Sequence, residues 1–257
     1  MIGIFDSGSG GLSVLREIIR ILPKERYIYY ADNAFCPYGE KTPGFIQDRG
    51  RAITDFLLGK GTDIIVVACN TATAAAISTL RAEYQVKFIG MEPAVKPAAL
   101  SSESGVIGVL ATSGTLKGSK YLNTKGLYED DVIIEEHVGK GFVELVESGV
   151  LDGPIAEATV RESLQPLLDK GADRIVLGCT HYPFLRDVIQ RIAGPDVQVI
   201  DPAPAVARHL LDVMRTEGLV REDGGPSLPD VRLVASGDPT PSRMLLDKII
   251  KNEKIHA

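Results

Sequence analysis

With 257 residues, 44% of them hydrophobic, the chain has apolar material for one large core or two of ordinary size. Its net charge of -6 opposes the basic footprint of a nucleic-acid binder, although it is silent about a small anionic substrate that needs only local donors. No window approaches the roughly 18 consecutive apolar residues of a membrane span. Three cysteines and four histidines (His137, His181, His209, His256) form neither a disulfide framework nor a CxxC or HxxxH metal pair.

Met1 leads within a few residues into Ile2-Gly3-Ile4-Phe5 with no basic region ahead of an apolar stretch, so a cytoplasmic protein with reduced thiols is expected. Short β-branched runs then alternate with helix-length segments, the pattern of an α/β fold whose parallel sheets are covered by helices on both faces. A first strand at Ile2–Phe5 enters the turn Phe5-Asp6-Ser7-Gly8-Ser9-Gly10-Gly11, which opens a helix over Gly11–Ile21. That turn lacks the spacing of a dinucleotide fingerprint and the Lys of a phosphate loop. Its glycines let backbone N–H groups approach an anion, while Asp6 suits an acid/base auxiliary, a partner for an ammonium group, or a helix N-cap. A strand at Tyr27–Ala31 is followed by the loop Ala34-Phe35-Cys36-Pro37-Tyr38-Gly39, in which Cys36 reads as structural.

A helix over Gln47–Leu58 precedes a strand at Asp63–Ala68, which runs into Cys69-Asn70-Thr71 and a helix over Thr73–Tyr84. Further strands follow at Lys87–Gly90, Val106–Leu110 and Val132–Glu135. Glu147 closes the short helical pattern Gly141–Gly149, where a solvated face is the default and nothing local selects it. A helix over Ala156–Asp169 leads to a strand at Arg174–Gly178 and then to Cys179-Thr180-His181. The pattern finishes with strands at Val197–Ile200 and Val231–Ala235 around a helix over Ala203–Arg215.

The two halves align. Gly61-Thr-Asp-Ile-Ile-Val-Val-Ala-Cys69-Asn-Thr71 matches Gly171-Ala-Asp-Arg-Ile-Val-Leu-Gly-Cys179-Thr-His181 without a gap, an offset of 110 residues. Ile2-Gly-Ile-Phe-Asp-Ser-Gly8 matches Ile107-Gly-Val-Leu-Ala-Thr-Ser113-Gly114, and Pro93-Ala-Val95 matches Pro204-Ala-Val206. Buried strands draw on a narrow alphabet, so one match alone carries little. Three in the same order point to a duplicated α/β unit.

Duplication puts Cys69 and Cys179 at equivalent strand ends, each where an apolar strand meets a polar turn and a helix. Ligands of open α/β sheets bind beyond the carboxyl ends of strands, and a helix N-terminus favours a thiolate. An isolated buried cysteine is ordinarily a small hydrophobe, but two at duplicated strand ends reverse that expectation. His181, two residues after Cys179, is the type of residue that holds or supplies a proton for a thiol, although neighbouring side chains in a turn can diverge.

Together the segments Phe5–Gly11, Pro37-Tyr-Gly39, Cys69-Asn-Thr-Ala-Thr73, Phe142-Val-Glu-Leu-Val-Glu147, Gly178-Cys-Thr-His-Tyr-Pro183 and Ser236-Gly-Asp-Pro239 resemble the glutamate racemases of the aspartate/glutamate racemase superfamily. The resemblance spans residues 2 to 240, with Ser9 standing where Val is expected and Phe35-Cys36 preceding Pro37 where an Arg-containing variant is common. It implies two pseudo-symmetric α/β lobes, 1–95 with 208–257 and 96–207, with an active site in the cleft between them. It implies cofactor-independent and metal-free interconversion of L- and D-glutamate, with Cys69 and Cys179 as the two proton donor/acceptors. Asp6 would assist the first thiol, and His181 with Glu147 the second. Asp6, Ser7, Tyr38, Gly39, Asn70, Thr71, Thr180 and His181 would contact the amino acid.

Aspartate racemases share the paired cysteines, but the Cys-Thr-His-Tyr-Pro form and the Asp-Ser-Gly-x-Gly-Gly turn favour glutamate. D-glutamate for peptidoglycan would be the product's use, and a small-molecule substrate the partner, with neither nucleic acid nor membrane. A homodimer remains open. Two rival readings stand beside this one: a two-lobed amino-acid binding protein, which has no need of paired cysteines, and a cysteine hydrolase or transferase using Cys179 with His181, which leaves Cys69 without a task.

Overall fold

The computed structural model describes residues 1–221 and 229–255; His256 lies outside them. Elements run in chain order β1 (Ile2–Asp6), α1 (Leu12–Ile21), β2 (Arg26–Ala31), α2 (Pro43–Leu58), β3 (Ile64–Val67), α3 (Asn70–Glu83), β4 (Lys87–Gly90), α4 (Val95–Ser101), β5 (Val106–Ala111), α5 (Ser113–Leu116), α6 (Ser119–Gly126), β6 (Ile133–Val138), α7 (Phe142–Glu147), α8 (Pro154–Asp169), β7 (Arg174–Gly178), α9 (Arg186–Ala193), β8 (Gln198–Ile200), α10 (Ala203–Thr216), β9 (Asp230–Ala235) and α11 (Thr240–Ile255). Two sheets form, ordered β4-β3-β1-β2-β9 and β6-β5-β7-β8, and every strand pairing in both is parallel.

Read from the other edge, the second sheet runs β8-β7-β5-β6, the same order as β4-β3-β1-β2 in the first. Register repeats as well. Ile2 stands opposite Ile64 as Ile107 stands opposite Arg174, the positions that the sequence repeats equate. Gly61 and Gly171, also equivalent, both adopt positive φ (78° and 82°) in the turns that lead into β3 and β7. A side chain at either would strain the backbone, which is why glycine stands at both.

The central strands explain the apolar runs. Every residue of β1 and of β3 is buried, as expected where helices cover both faces of a parallel sheet. One core cluster gathers Phe5, Ile28, Ile53, Leu57, Ile65 and Leu80; another gathers Val95, Ala98, Ile107, Val109 and Val176. Each large aliphatic side chain taken fully from water contributes about 1.5–3 kcal/mol.

The chain divides into two compact units, Met1–Met91 with Ala203–Ala257, and Glu92–Pro202. The boundaries therefore stand at 91/92 and 202/203, ahead of the 95/96 and 207/208 expected from sequence. Helix packing explains the shift: α4 lies against β5 and β7 of the second unit, and α10 lies against α1 and β4 of the first. The helix that follows the fourth strand of each unit thus belongs to the other unit, and Pro93-Ala-Val95 and Pro204-Ala-Val206 mark the two crossings.

Asp173, just before β7, fastens the turn ahead of β5. It accepts from the Ser102 hydroxyl (2.7 Å) and from the backbone N–H groups of Glu103 (2.6 Å) and Ser104 (3.0 Å), with the Arg174 guanidinium 3.2 Å away. Burial pushes its carboxyl up, but those donors and that charge outweigh it and hold the group below the ordinary carboxylate range. A carboxyl with a lowered folded-state pKa stabilises above its unfolded value near about 3.9 and stops doing so as pH falls through the folded one. Asp173→Asn is expected to cost about 1–3 kcal/mol in urea unfolding at pH 7. The gap between variant and parent should narrow in titrations carried below about pH 4. A constant gap across that range would show that the charge is not what holds the turn.

Candidate active site

Both duplicated thiols stand where a buried strand ends. In the first unit Cys69 is the N-cap of α3: its backbone is extended (φ -143°, ψ 122°) and its sulfur accepts the Ala72 N–H at 3.4 Å. The Thr73 N–H bonds the Cys69 carbonyl at 2.8 Å, so the thiol sits directly over the start of the helix, where the helix dipole and an aimed N–H favour negative charge on sulfur.

Asp6, fully buried at the end of β1, is linked to this thiol through Ser7. The Cys69 Sγ lies 3.9 Å from Ser7 Oγ, which in turn lies 3.4 Å from Asp6 Oδ1. The other carboxylate oxygen accepts the Gly11 N–H at 2.7 Å, fixing the loop that opens α1. Of the roles left open for Asp6, the Gly11 bond shows that it fastens the start of the helix, and its other oxygen faces Ser7 beside the thiol. Gly11 admits no side chain, since a Cβ there would lie 2.8 Å from Asp6 Cβ and 2.9 Å from the Ala68 carbonyl oxygen. Ser9, the departure from the expected Val, is fully buried and its hydroxyl meets that of Ser242 in α11 at 2.8 Å, so the substitution comes with a partner.

Asn70 and Thr71 open α3 and are buried, and the Asn70 side-chain nitrogen has no hydrogen-bond partner among the described residues. A buried amide donor left unmatched is costly in a folded protein and is a place where a ligand acceptor would bind. Tyr38 and Gly39 form a short 3₁₀ turn with Glu40. Tyr38 is buried and its hydroxyl donates to Asp32, which also takes a two-pronged bond from Arg49 (Nε 2.8 Å, Nη2 2.7 Å). Asp32 and Arg49 escaped the sequence reading. Asp32 directly follows a strand, as Cys69 nearly does, and that position was a usable signal, whereas Arg49 sits within a helix with no local mark. Cys36, half-buried, closes a turn by donating its N–H to the Asn33 carbonyl at 3.4 Å. The Ser236–Asp238 segment buttresses the same turn, with the Ser236 hydroxyl accepting from Ala34 N–H at 3.1 Å and Gly237 N–H bonding Asn33 at 2.8 Å.

In the second unit Cys179 follows β7, and its sulfur lies 3.8 Å from His181 Nδ1. His181 Nε2 lies 2.7 Å from Glu147 Oε1. Cys179, Thr180 and His181 are all buried, while Glu147 retains one-fifth of its side-chain exposure. Sequence expected a polar turn and then a helix after Cys179, and the turn is longer than at Cys69. A 3₁₀ turn over Tyr182–Leu185 precedes α9, with Pro183 at its start and the Tyr182 N–H bonding the Cys179 carbonyl at 3.1 Å. This turn folds His181 back over the thiol. Glu147, which its own segment did not mark, ends α7 and meets His181 through that return.

Each thiol is thus backed by a two-link chain ending on a carboxylate: Ser7 then Asp6, and His181 then Glu147. An Nε2–H donated to Glu147 leaves Nδ1 as acceptor for the Cys179 proton, and a carboxylate at that distance stabilises the imidazolium that forms when the proton moves.

The model of the Asp/Glu/Hydantoin racemase family matches residues 2–210. The chain belongs to that family. It is 49% identical over 227 residues to the glutamate racemase of Methylococcus capsulatus, covering 88% of this chain and 84% of the relative. Among solved structures, the glutamate racemase isoform RacE1 of Bacillus anthracis superposes with a TM-score of 0.85 at 31% identity, covering 96% of this chain and 92% of that one. The glutamate racemase of Francisella tularensis in complex with D-glutamate gives 0.81 at 28% identity, over 97% and 93%. Among the described residues no helix is long and apolar enough to cross a membrane.

Glu147→Gln removes the negative end of the second chain. The Cys179 thiol should then react roughly tenfold more slowly with a small alkylating agent at neutral pH, the change that accompanies loss of about 1.4 kcal/mol of ion-pair support. Peptide mass spectrometry reads this with Cys69 as internal reference. Unchanged Cys179 labelling relative to Cys69 would remove Glu147 from the thiol's support.

Proposed function

We propose that this protein interconverts L- and D-glutamate by moving the Cα proton between Cys69 and Cys179, acting on opposite faces of the carbon and without an organic cofactor or a metal. The single observation that carries the reading is the matched pair of thiols, each at the carboxyl end of the equivalent strand and each backed by a carboxylate through one intermediary. The family and the strong likeness to glutamate racemases support the substrate.

Proton bookkeeping explains why two thiols suit the task. One thiolate breaks the Cα–H bond and becomes a thiol, leaving the electron pair on carbon; the opposite thiol gives its proton to the other face and becomes the thiolate. The product is the mirror image, and proton exchange with water through Ser7–Asp6 on one side and His181–Glu147 on the other resets the pair. A thiolate is a fitting base here because it is the reactive form of cysteine and is favoured at a helix start.

The carbanion must be stabilised by fixed donors as charge moves into the α-carboxylate, and electrostatic preorganisation of this sort is commonly the largest catalytic contribution. Asn70, with its unmatched side-chain N–H groups, is the first such donor, and Ser7, Thr71 and Thr180 supply hydroxyls. Gly39 and Tyr38 contribute to amino-acid binding through their turn. Water exclusion strengthens each of these contacts. A cytoplasmic location and use of the D-glutamate in peptidoglycan complete the reading.

Purified protein incubated with L-glutamate in deuterated water with a thiol reductant, and no added cofactor, should lose optical rotation while gaining Cα deuterium. L-aspartate serves as the competing substrate. Cys69→Ser and Cys179→Ser should each lower racemisation by roughly a thousandfold or more while retaining hydrogen exchange from one enantiomer. Full racemisation by either variant would falsify the two-thiol scheme, and glutamate binding without exchange by the parent would favour a binding protein.

A further inference from the structure

Behind the two hydrogen-bonded chains the thiols share a second kind of neighbour, a buried tyrosine whose hydroxyl is tied elsewhere. Tyr38 belongs to the same buried cluster as Cys69 and Ala72, and the turn that carries it packs on α3, the helix that Cys69 opens. Tyr182 follows Cys179 by three residues, donates its N–H to the Cys179 carbonyl and packs its ring edge-on against Phe142 at 4.8 Å.

The two hydroxyls are anchored at the same place in the two sheets. Ala31 pairs with Asp6 at the end of β2, and Val138 pairs with Ala111 at the end of β6. The next residues, Asp32 and Gly139, donate their N–H groups to the Asp6 carbonyl (2.9 Å) and the Ala111 carbonyl (3.3 Å). Tyr38 donates its hydroxyl to the Asp32 carboxylate, and Tyr182 donates its hydroxyl to the Gly139 carbonyl at 3.2 Å. The tyrosines reach these anchors from unrelated stretches of chain, one from the loop after β2 and one from the turn after β7, so the arrangement is not a simple copy left by duplication.

The anchors differ in kind. Asp32 is fully buried and clamped by both prongs of Arg49, whose guanidinium lies 4.4 Å from the centre of the Phe35 ring. Gly139 offers only backbone, and a Cβ there would lie 2.5 Å from the Tyr182 hydroxyl.

Resting on the racemase reading, we propose that Tyr38 and Tyr182 are positioning residues, one for each proton transfer, and that the Asp32–Arg49 pair acts through Tyr38 on the Cys69 step alone. Tyr38 is buried in one cluster with Cys69, and Tyr182 is buried and tied by its N–H to the Cys179 carbonyl, so in this role each ring keeps water from its thiol. Each hydroxyl is turned to an anchor and does not compete for the substrate proton. Burial, foremost, keeps both phenols far above their ordinary pKa; the Asp32 bond and charge and a thiolate at Cys69 add to this at Tyr38, and a thiolate at Cys179 adds to it at Tyr182. Both rings therefore stay neutral through every step. A planar, two-pronged Arg–carboxylate bond fixes orientation where Lys would not, which makes Arg49 the member through which Tyr38 can be loosened without removing charge.

Isotope effects separate this role from a merely structural one. In a two-step proton transfer, slowing one step makes it a larger share of the barrier. The Cα-deuterium effect then rises for the enantiomer deprotonated in that step and falls for its mirror image. Arg49→Lys, Asp32→Asn and Tyr38→Phe are compared with the parent on Cα-deuterated L- and D-glutamate, with melting curves to identify variants that fail to fold. Arg49→Lys and Asp32→Asn should lower kcat/KM in both directions by roughly ten- to a hundredfold, Tyr38→Phe by less. All three should raise the isotope effect for one enantiomer only, the one whose proton Cys69 removes. Tyr182→Phe should shift the asymmetry to the other enantiomer. If Asp32→Asn does not fold, Arg49→Lys and Tyr38→Phe decide the matter. Loss of rate with equal isotope effects for both enantiomers, or the same asymmetry from Tyr182→Phe as from Arg49→Lys, overturns the proposal while the racemase reading stands. Absence of turnover by the parent overturns both.

Discussion

A strand buried on both faces leaves its chain only one place to present chemistry, its end, and the whole molecule is organised around that constraint. At the carboxyl ends of β1, β3 and β7 the backbone turns out of the apolar layer, and there stand Asp6, Cys69 and Cys179. Each is nearly inaccessible to solvent, yet each is met by a directed donor or acceptor: Gly11 N–H for Asp6, Ala72 N–H for Cys69, and the His181 ring for Cys179. Rigid strands fix the positions, and glycines where side chains would collide allow loops to return close to them. Gly178, whose Cβ would lie 2.7 Å from that of Ala111, lets β7 deliver Cys179 tight against β5.

Duplication set this arrangement up twice, but the copies solved the support of the thiol differently. In one unit a serine links sulfur to carboxylate; in the other an imidazole does. A hydroxyl relays a proton without changing its own charge at ordinary pH, whereas an imidazole changes charge near neutrality. The two thiols therefore stand in chemically different surroundings, a hydroxyl beside Cys69 and an imidazole beside Cys179. Helix placement differs too: Cys69 gains a full α-helix start, while Cys179 gives its place over the helix to the 3₁₀ turn that brings His181 back.

Much of this was legible in the residues. Central strands followed from β-branched runs because parallel strands covered on both faces are apolar throughout, edge strands β6 and β9 followed from mixed runs, and all nine lie within three residues of their expected bounds. Cys69 and Cys179 emerged from the internal repeat, since the demand for a thiol at a strand end leaves a short contiguous signature. What stayed hidden depends on long-range return of the chain. Glu147 looks like any solvated helix end until the turn after Cys179 carries His181 to it. Arg49 is one charged residue of a surface helix until Asp32, seventeen positions earlier, is seen clamped by it. The second unit boundary shifted for the same reason: the expected 207/208 division cuts α10, whose packing on α1 and β4 places all of it in the first unit.

The exchange of helices at the two crossings has a consequence for how the chain matures on the ribosome. Unit Glu92–Pro202 is one uninterrupted stretch, complete as soon as its last residue emerges. The first unit begins the chain yet must wait for α10, β9 and α11, which lie beyond it. Until then β2 has no β9 at its edge and Ser9 lacks Ser242, so the loop carrying Asp6 is left without its far support. Domains generally fold as units during synthesis. Here the half of the molecule made second is the first that can close, and Cys69, translated before Cys179, is the later of the two to acquire its finished surroundings.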